Sequence, residues 1–384
     1  MKKALVVGGS NGIGLAIVNN FIELGYEEIT IMDKREPALT LDGKINYIPM
    51  DLTLDDFDIF DEYVFKIDTL MITAGYGRVA PFATFEDREI YNNLNVNGVA
   101  PIRILNKFYP QLEGENDFYC GVMGSIAGFI SSPMFSVYGA GKAAIDKLIE
   151  SVNIELEKSG TKNRILNVSP GSIRGTSFSG GQTDTKVIDT LSKNIIKEMQ
   201  KKNTLYIPDL EIYGNVLARY HRNPYKFGLE SYDYKLSGGR INTRPQLKIG
   251  YLSGTFDLFH IGHLNLLRRA KQYCDYLIVG VHQDASHKGK ETFISFEERM
   301  EILKSNRYVD KVVPSQPEDI TIWNEIYYDY LFVGSDYKGT ERFKYYEDFF
   351  KDKDTEIIYF DYTQGTSSSK LRMLIDKSIE GKEK

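Results

Sequence analysis

The chain has almost no cysteine. Of 384 residues only Cys120 and Cys274 carry a thiol, with no CxxC pair and no regular spacing. A disulfide-stapled scaffold and a cysteine-built zinc module are thereby excluded, and a reduced, cytoplasmic setting is expected. Long apolar runs are absent too: nothing approaches the roughly 20 residues of a spanning helix. The opening MKKALVVGGSNGIG meets glycine too early for the apolar region of a signal peptide, so no membrane insertion is expected. Neither sign of charge dominates. Up to residue 245 there are 27 Lys plus Arg against 30 Asp plus Glu, and 20 against 23 beyond it, so each part carries −3. Neither part has the basic field that binds nucleic acid through its phosphates. No repeat of 20 to 50 residues and no low-complexity tract is present.

What is there is the composition of a folded protein long enough for two domains, with 42% hydrophobic and 26% charged residues. Two segments open alike, with a short β-rich run, a turn and a helical pattern: KALVVGG at the start and LKIGYLSG from Leu247. Each reads as the first strand of its own α/β sheet. Between them, from Asn203 to Gln246, periodicity fades and NPYKFG, SGGR and TRPQ supply turn chemistry, which predicts a linker. Domains of residues 1–245 and 246–384 follow. The tyrosines of this stretch, Tyr206, Tyr213, Tyr220, Tyr225, Tyr232 and Tyr234, suit a substrate lid or a packing surface. Packing is favoured because aromatic rings mostly serve to bury area.

In the first part, the strand ending at Val7 runs straight into Gly8, Gly9, Ser10, Asn11, Gly12, Ile13 and Gly14 and then a helical pattern. Glycines permit a tight turn and close backbone approach, and the helix N-terminus offers N–H groups to a pyrophosphate. A plain tight turn is the bland reading of such a run, and the strand and helix on either side weigh against it. A second strand, EITIMD, ends in Asp33, nineteen residues after Gly14, where a carboxylate can accept from an adenosine ribose. That favours NAD(H), while Lys34 and Arg35 are placed to hold the extra phosphate of NADP(H). Further on, Ser125 closes a strand, and Tyr138 and Lys142 stand four apart, on one helix face. An ammonium beside a phenol is expected to lower its pKa and make Tyr138 a usable acid or base, with Ser125 bonding the same substrate oxygen.

This ordered set resembles the short-chain dehydrogenase/reductase family over roughly residues 1–200. The matching elements are Gly8, Gly12 and Gly14; Asp51-Leu52; Ala74-Gly75; Asn95; Ser125, Tyr138 and Lys142; and Pro170-Gly171. The resemblance implies a Rossmann-fold, doubly wound parallel sheet, and NAD(H) or NADP(H) bound by Gly8, Ser10, Asn11, Gly12, Ile13, Gly14, Asp33, Asp51, Leu52, Ala74, Gly75, Tyr138, Lys142, Pro170 and Gly171. It makes Tyr138 the acid/base and Ser125 the orienting hydroxyl. Lys142 becomes the ribose ligand, and Asn95 the holder of a relay water. Val7, Ile72-Thr73 and Thr176 depart from the family's usual residues or spacing.

The second part reads IGYLSGTFDLFHIGHLNLLRRAKQYCDYLIVGVHQD, which places His260 and His263 at a helix start. Zinc ligation lacks a third ligand at convincing spacing; burial as core histidines stays open. The turn before them and the helix dipole behind them suit a triphosphate. The block resembles the HxGH nucleotidyltransferases, and most closely their glycerol-3-phosphate cytidylyltransferase group, over about residues 248–375. It carries GTFDLFHIGH, Lys288 and Lys290, Arg299, Arg307, Asp336 and TQGTSSSKLR. The resemblance implies a smaller α/β domain in which His260, His263 and Lys288 act at the α-phosphorus. CTP and substrate would be held by Gly254, Thr255, Phe256, Asp257, His260, His263, Lys288, Lys290, Arg299, Arg307, Asp336, Thr366, Ser367 and Ser368, with Mg²⁺ on the phosphates. Tyr362 stands where the family has an arginine, which leaves two alternatives open: compensation by Lys370 or Arg372, or an acceptor seated differently.

A reductase joined to a cytidylyltransferase makes sense if one produces what the other consumes. The expectation is reduction of a ketose phosphate to an alditol phosphate and its activation as a CDP-alditol for capsule or teichoic acid synthesis, with CDP-ribitol first and CDP-glycerol next. Two alternatives stay open: reduction of a CDP-linked sugar, and a first domain that only senses cofactor and regulates the transferase. Both resembled families imply a homo-oligomer.

Overall fold

The computed structural model describes residues 2–40, 42–54, 56–173, 175–176, 178, 184–239, 241–243, 247–283, 291–361, 371 and 373. The chain divides into two compact units, Met1–Pro245 and Gln246–Lys384. Among the described residues no helix is long and apolar enough to cross a membrane.

In the first unit, β1 (Lys3–Val7), α1 (Gly12–Glu23), β2 (Glu28–Asp33), β3 (Ile45–Pro49) and β4 (Thr69–Ile72) are followed by α2 (Asp87–Leu94), a π-turn (Asn95–Val99) and α3 (Ala100–Glu113). Then come β5 (Tyr119–Met123), α4 (Ser136–Ser159), β6 (Ile165–Val168), α5 (Thr185–Gln200), β7 (Leu205–Tyr206), α6 (Leu210–Arg222) and α7 (Pro224–Ser237). The strands pair in parallel in the order β3-β2-β1-β4-β5-β6-β7. Because side chains alternate along a strand, β1 feeds two cores. Leu5 and Val7 pack with Ile104, Phe108, Ile145 and Ile149; Ala4 and Val6 pack with Ile17, Phe21, Ile195 and Met199. A sheet covered on both faces needs apolar residues at every position, which is why these strands read as continuous hydrophobic runs. Strand order reverses at β1, so the carboxyl ends of β1 and β4 open a crevice.

The stretch expected to be a linker is mostly helix. Asn223 ends α6, its side chain accepts from the Lys226 N–H, and Pro224 takes a first-turn position, so α7 restarts at once. The period is faint in the sequence because α6 has no buried residue and α7 buries only Phe227.

The second unit holds β8 (Ile249–Gly254), α8 (Ile261–Tyr273), β9 (Tyr276–Val281), α9 (Phe296–Lys304), β10 (Lys311–Pro314), α10 (Asp319–Glu325), β11 (Tyr330–Gly334), α11 (Glu341–Phe350) and β12 (Glu356–Phe360). Its parallel order is β10-β9-β8-β11-β12, which reverses at β8. Again two cores flank the sheet, one around Leu252, Leu267, Val279 and Phe332, the other around Tyr251, Ile278, Tyr328 and Tyr346. A buried ion pair between Lys271 and Asp310 ties α8 to the strand side of this unit, since Asp310 also accepts from the Leu277 N–H at 2.7 Å.

Candidate functional site

At the carboxyl end of β1 the turn is shaped for close approach. Gly8 has φ +86°, and a Cβ there would collide with the Ala74 backbone; a Cβ on Gly14 would lie 2.5 Å from the Thr73 Oγ1. Gly12, φ +54°, faces open space, and Asn11 caps α1 by accepting from the Gly12 N–H at 2.8 Å. The buried Ser10 Oγ has no hydrogen-bond partner among the described residues, while the Ser10 N–H donates to Asp33 Oδ2 at 3.0 Å. Left-handed glycines, an unmatched hydroxyl and a carboxylate at the tip of β2 fit a dinucleotide. Beside them Lys34 pairs with Asp51 at 3.2 Å, and Asp51 also accepts from Thr53. Burial alone would raise the Asp51 carboxyl, but Lys34 and Thr53 outweigh it and hold it below the usual range.

Ser125 starts a short 3₁₀ turn after β5, and Tyr138 and Lys142 lie on the first turns of α4. Gly128 lets that turn sit against α4: a Cβ there would be 2.9 Å from the Lys142 carbonyl. The Ser125 hydroxyl stands beside the Tyr138 phenol and favours its ionised form. The phenol ring belongs to a three-ring cluster: it stacks on Phe135 at 4.3 Å between centroids and meets Phe178 at a tilt at 5.2 Å, while Phe178 stands edge-on to Phe135 at 6.1 Å. Burial pushes Tyr138 up to about 12, against the pull of Ser125, and burial lowers Lys142 to about 7. The expected lowering of the tyrosine pKa is therefore corrected. The Lys142 ammonium donates to the Met123 carbonyl at 2.7 Å and lies 5.5 Å from the Tyr138 ring centroid, so desolvation decides both groups. A neutral phenol is the form that donates a proton, as carbonyl reduction requires.

Near Lys142 the structure also places the carboxamide of Asn97, two residues beyond the Asn95 that the sequence pattern singles out. A methyl at Gly75 would lie 2.8 Å from Asn97 Oδ1 and 3.3 Å from Lys142 Nζ. Asn97 is fully buried, donates to the Tyr76 and Asn93 carbonyls, and leaves its Oδ1 without a partner. Both lie in the π-turn, where the Ala100 N–H reaches back to the Asn95 carbonyl and so adds a residue to the turn. Asn93, four residues before Asn97, donates to the same Tyr76 carbonyl, and that spacing is the signal the sequence offers.

In the second unit, the turn after β8 carries two non-glycine residues in the left-handed region, Phe256 (φ 54°) and Leu258 (φ 51°). Such positions cost about 1–3 kcal/mol each and persist where surroundings enforce them. Phe256 is anchored in the core, and Asp257 between them accepts from the Phe293 and Ile294 N–H groups at 3.1 and 3.0 Å. The turn delivers His260 as N-cap of α8. His260 Nδ1 accepts from the Gly262 N–H at 3.0 Å, and His263 Nδ1 faces the His260 N–H at 3.4 Å; the rings stack at 4.0 Å. With Nδ1 spent as acceptor on each ring, the proton of the neutral imidazole sits on Nε2. Burial lowers the His260 pKa. Two N–H donors at a helix N-terminus are what a phosphate accumulating charge needs.

Two family descriptions match the chain: short chain dehydrogenase over residues 2–186 and cytidylyltransferase-like over residues 251–374. The glycerol-3-phosphate cytidylyltransferase of Bacillus subtilis is 40% identical over 126 residues, 31% of this chain and 90% of that protein. A short chain dehydrogenase of Pseudocercospora fijiensis is 30% identical over 230 residues, 54% of this chain and 72% of that protein. The chain belongs to both families. A short chain dehydrogenase of Burkholderia cenocepacia, solved in complex with NADP, shares the fold of the first unit at TM-score 0.51 and 17% identity, covering 60% of this chain and 99% of that one. The protein is thus an oxidoreductase fused to a nucleotidyltransferase.

Within the cytidylyltransferase unit Arg299 is not where phosphate neutralisation would put it. It is buried and donates to the carbonyls of Ile294, Thr255, His282 and Gln283, which makes it a clamp on the loops around the site. Asp257 likewise holds the loop before α9. Arg307 and Asp336 are exposed. Lys288, Lys290, Tyr362, Thr366, Ser367, Ser368, Lys370 and Arg372 lie outside the described residues. In the dehydrogenase unit, Tyr213 of α6 stands out in the sequence only as part of a tyrosine-rich stretch. Its hydroxyl accepts from the Ser172 N–H at 3.2 Å and packs where a Cβ of Gly171 would be. Phe135, the N-cap of α4, meets Tyr138 through its i,i+3 spacing, whereas the approach of Phe178 is a tertiary contact.

Proposed function

We propose that the dehydrogenase unit reduces a short-chain ketose phosphate to an alditol phosphate and that the cytidylyltransferase unit transfers CMP to it from CTP, releasing pyrophosphate and a CDP-alditol. The observation that carries this reading is the presence on one chain of a buried, neutral Tyr138 beside Ser125 and of a site akin to enzymes named for glycerol 3-phosphate, a phosphorylated alcohol. Reduction of a ketose phosphate makes that kind of compound. Held by the turn from Gly8 to Gly14 and by Asp33, a reduced nicotinamide would supply hydride to a carbonyl carbon; Tyr138 is the group to give its proton to the carbonyl oxygen, with Ser125 to orient it. In the second unit a phosphate oxygen of the alditol phosphate forms a bond to the α-phosphorus as the bond to pyrophosphate breaks, with the Nε2–H groups of His260 and His263 as donors. Mg²⁺ enters on the triphosphate. Among the described residues no group of three potential metal ligands is assembled.

The names of the relatives support dihydroxyacetone phosphate and glycerol; ribulose 5-phosphate, favoured by the sequence reading, is tested beside it. Capsule or teichoic acid synthesis is the setting that this product suits. Oxidation of NADH by either ketose phosphate, followed spectrophotometrically, is the direct test. Turnover of CDP-linked sugars alone would favour the alternative order of steps.

NADH is the preferred reductant. Asp33 occupies the position that accepts from a ribose, and Lys34 is committed to Asp51. Asp33→Ala is expected to lower kcat/KM with NADH by about 10-fold or more, the loss of a charge-assisted hydrogen bond, and to leave NADPH use unchanged or improved. A wild-type enzyme preferring NADPH would refute this assignment.

A further inference from the structure

Resting on the reading of the first unit as a ketose phosphate reductase, we propose that Lys235 of α7 binds the phosphate of that substrate and sets the enzyme's preference for phosphorylated ketoses. The family match ends at residue 186, and α7 lies beyond it. Even so, α7 reaches the catalytic tyrosine's surroundings. The Lys235 Nζ donates to the Ser132 Oγ at 2.7 Å and to the Pro133 carbonyl at 2.9 Å, and it stands 6.0 Å from the centre of the Phe135 ring. Phe135 stacks on Tyr138, so one ring is neighbour to both this ammonium and the catalytic phenol.

The loop that Lys235 grips is held in place from both sides. Met134 has φ 61° and its carbonyl accepts from the Ala80 N–H at 2.6 Å, while a Cβ on Gly228 of α7 would lie 3.9 Å from Ser131. The ammonium is thus fixed, half-buried, and without an acidic partner among the described residues; burial lowers it to about 8. An ammonium has three donors, of which two go to neutral oxygens. A partly desolvated cation with a donor to spare gains most from a dianion. Lys142, the other buried cation beside Tyr138, is committed to Met123. The chemistry of the second unit adds a reason for the anion to be there. CMP transfer needs an acceptor that already carries phosphate, so a reductase feeding it must admit a phosphorylated substrate.

The test uses the full-length protein and compares kcat/KM for dihydroxyacetone phosphate with that for dihydroxyacetone, and for ribulose 5-phosphate with ribulose. Lys235→Gln keeps hydrogen-bond donors for Ser132 and Pro133 but removes the charge; Lys235→Arg keeps the charge. The expected result is a loss of about 100-fold for Lys235→Gln on the phosphorylated ketose, of the size seen when one member of a desolvated charge pair is removed. The unphosphorylated ketose should change less than about 3-fold, and Lys235→Arg should retain most of the preference. Equal losses on both substrates would reduce Lys235 to a support for the Phe135 loop and overturn the proposal. So would an unchanged preference in Lys235→Gln, with the ketose phosphate reading left standing. A wild-type enzyme that does not prefer phosphorylated ketoses, or reduces none of these compounds, overturns both.

Discussion

Tyr138→Phe is expected to abolish ketose reduction while leaving CMP transfer at the wild-type rate. The substitution removes one oxygen from a ring that stacks on Phe135 and contacts Phe178, so packing survives and only the proton donor beside Ser125 is lost. General acid catalysis of this kind contributes about 10²–10⁴-fold, and reduction should fall by that amount at saturating cofactor. The wild-type phenol, pushed up to about 12 by burial, stays protonated across the working range, so its ionisation should impose no alkaline limb on reduction near neutrality. Retention of more than a tenth of the reductase rate would mean that another group supplies the proton. A parallel fall in transferase activity would mean that the substitution disturbs more than its own site.

His260→Asn is expected to give the mirror image, with CMP transfer lost and reduction kept. Asparagine is an excellent N-cap, and its carboxamide oxygen can replace the Nδ1 that accepts from the Gly262 N–H. The start of α8 should therefore hold, and the melting temperature should stay within a few degrees of wild type. What disappears is the Nε2–H donor aimed away from the cap. Loss of one such preorganised donor costs about 10²–10³-fold in kcat. The sign of the pH dependence follows from the same geometry. Protonating the ring would place a hydrogen on Nδ1 and break the cap, and burial already holds the pKa below the ordinary 6.5. An acid limb assigned to His260 should accordingly lie below pH 6.5 and be missing from the residual activity of His260→Asn. A variant as fast as wild type would show that the histidine serves only to cap the helix.

Features that depend on neighbours along the chain are legible in the residues themselves. The run from Val7 to Gly14 encodes a strand, a left-handed turn and a helix start through local chemistry alone. The capping pair His260 and His263 is likewise a one-turn motif. Ser125 and Tyr138 can be recognised because the segment between them has a fixed length. Features that depend on register or solvation are not legible in this way. A π-turn runs through Asn95 and buries Asn97, and no propensity marks that turn. A lowered pKa for Tyr138 is the natural expectation with Lys142 one helical turn away, yet the two aromatic rings that desolvate the phenol lie outside that helix. Arg299 looks like a phosphate ligand because arginines usually face water or anions, and only the folded loops show four carbonyls converging on it. The helices α6 and α7 read as linker because they bury little, and that hides Tyr213 and Lys235 at the rim of the reductase site.

That one chain makes an alditol phosphate and then activates it is tested most directly by mass spectrometry of products from purified protein. The mixture holds dihydroxyacetone phosphate or ribulose 5-phosphate, NADH, CTP and Mg²⁺, and each component is omitted in turn. The expected result is a CDP-alditol mass that requires every component, vanishes in both Tyr138→Phe and His260→Asn, and returns when the alditol phosphate is supplied to Tyr138→Phe. A CDP-linked product that forms without NADH from the ketose phosphate itself, or no CDP-alditol from any ketose phosphate while supplied alditol phosphates are still activated, would contradict it.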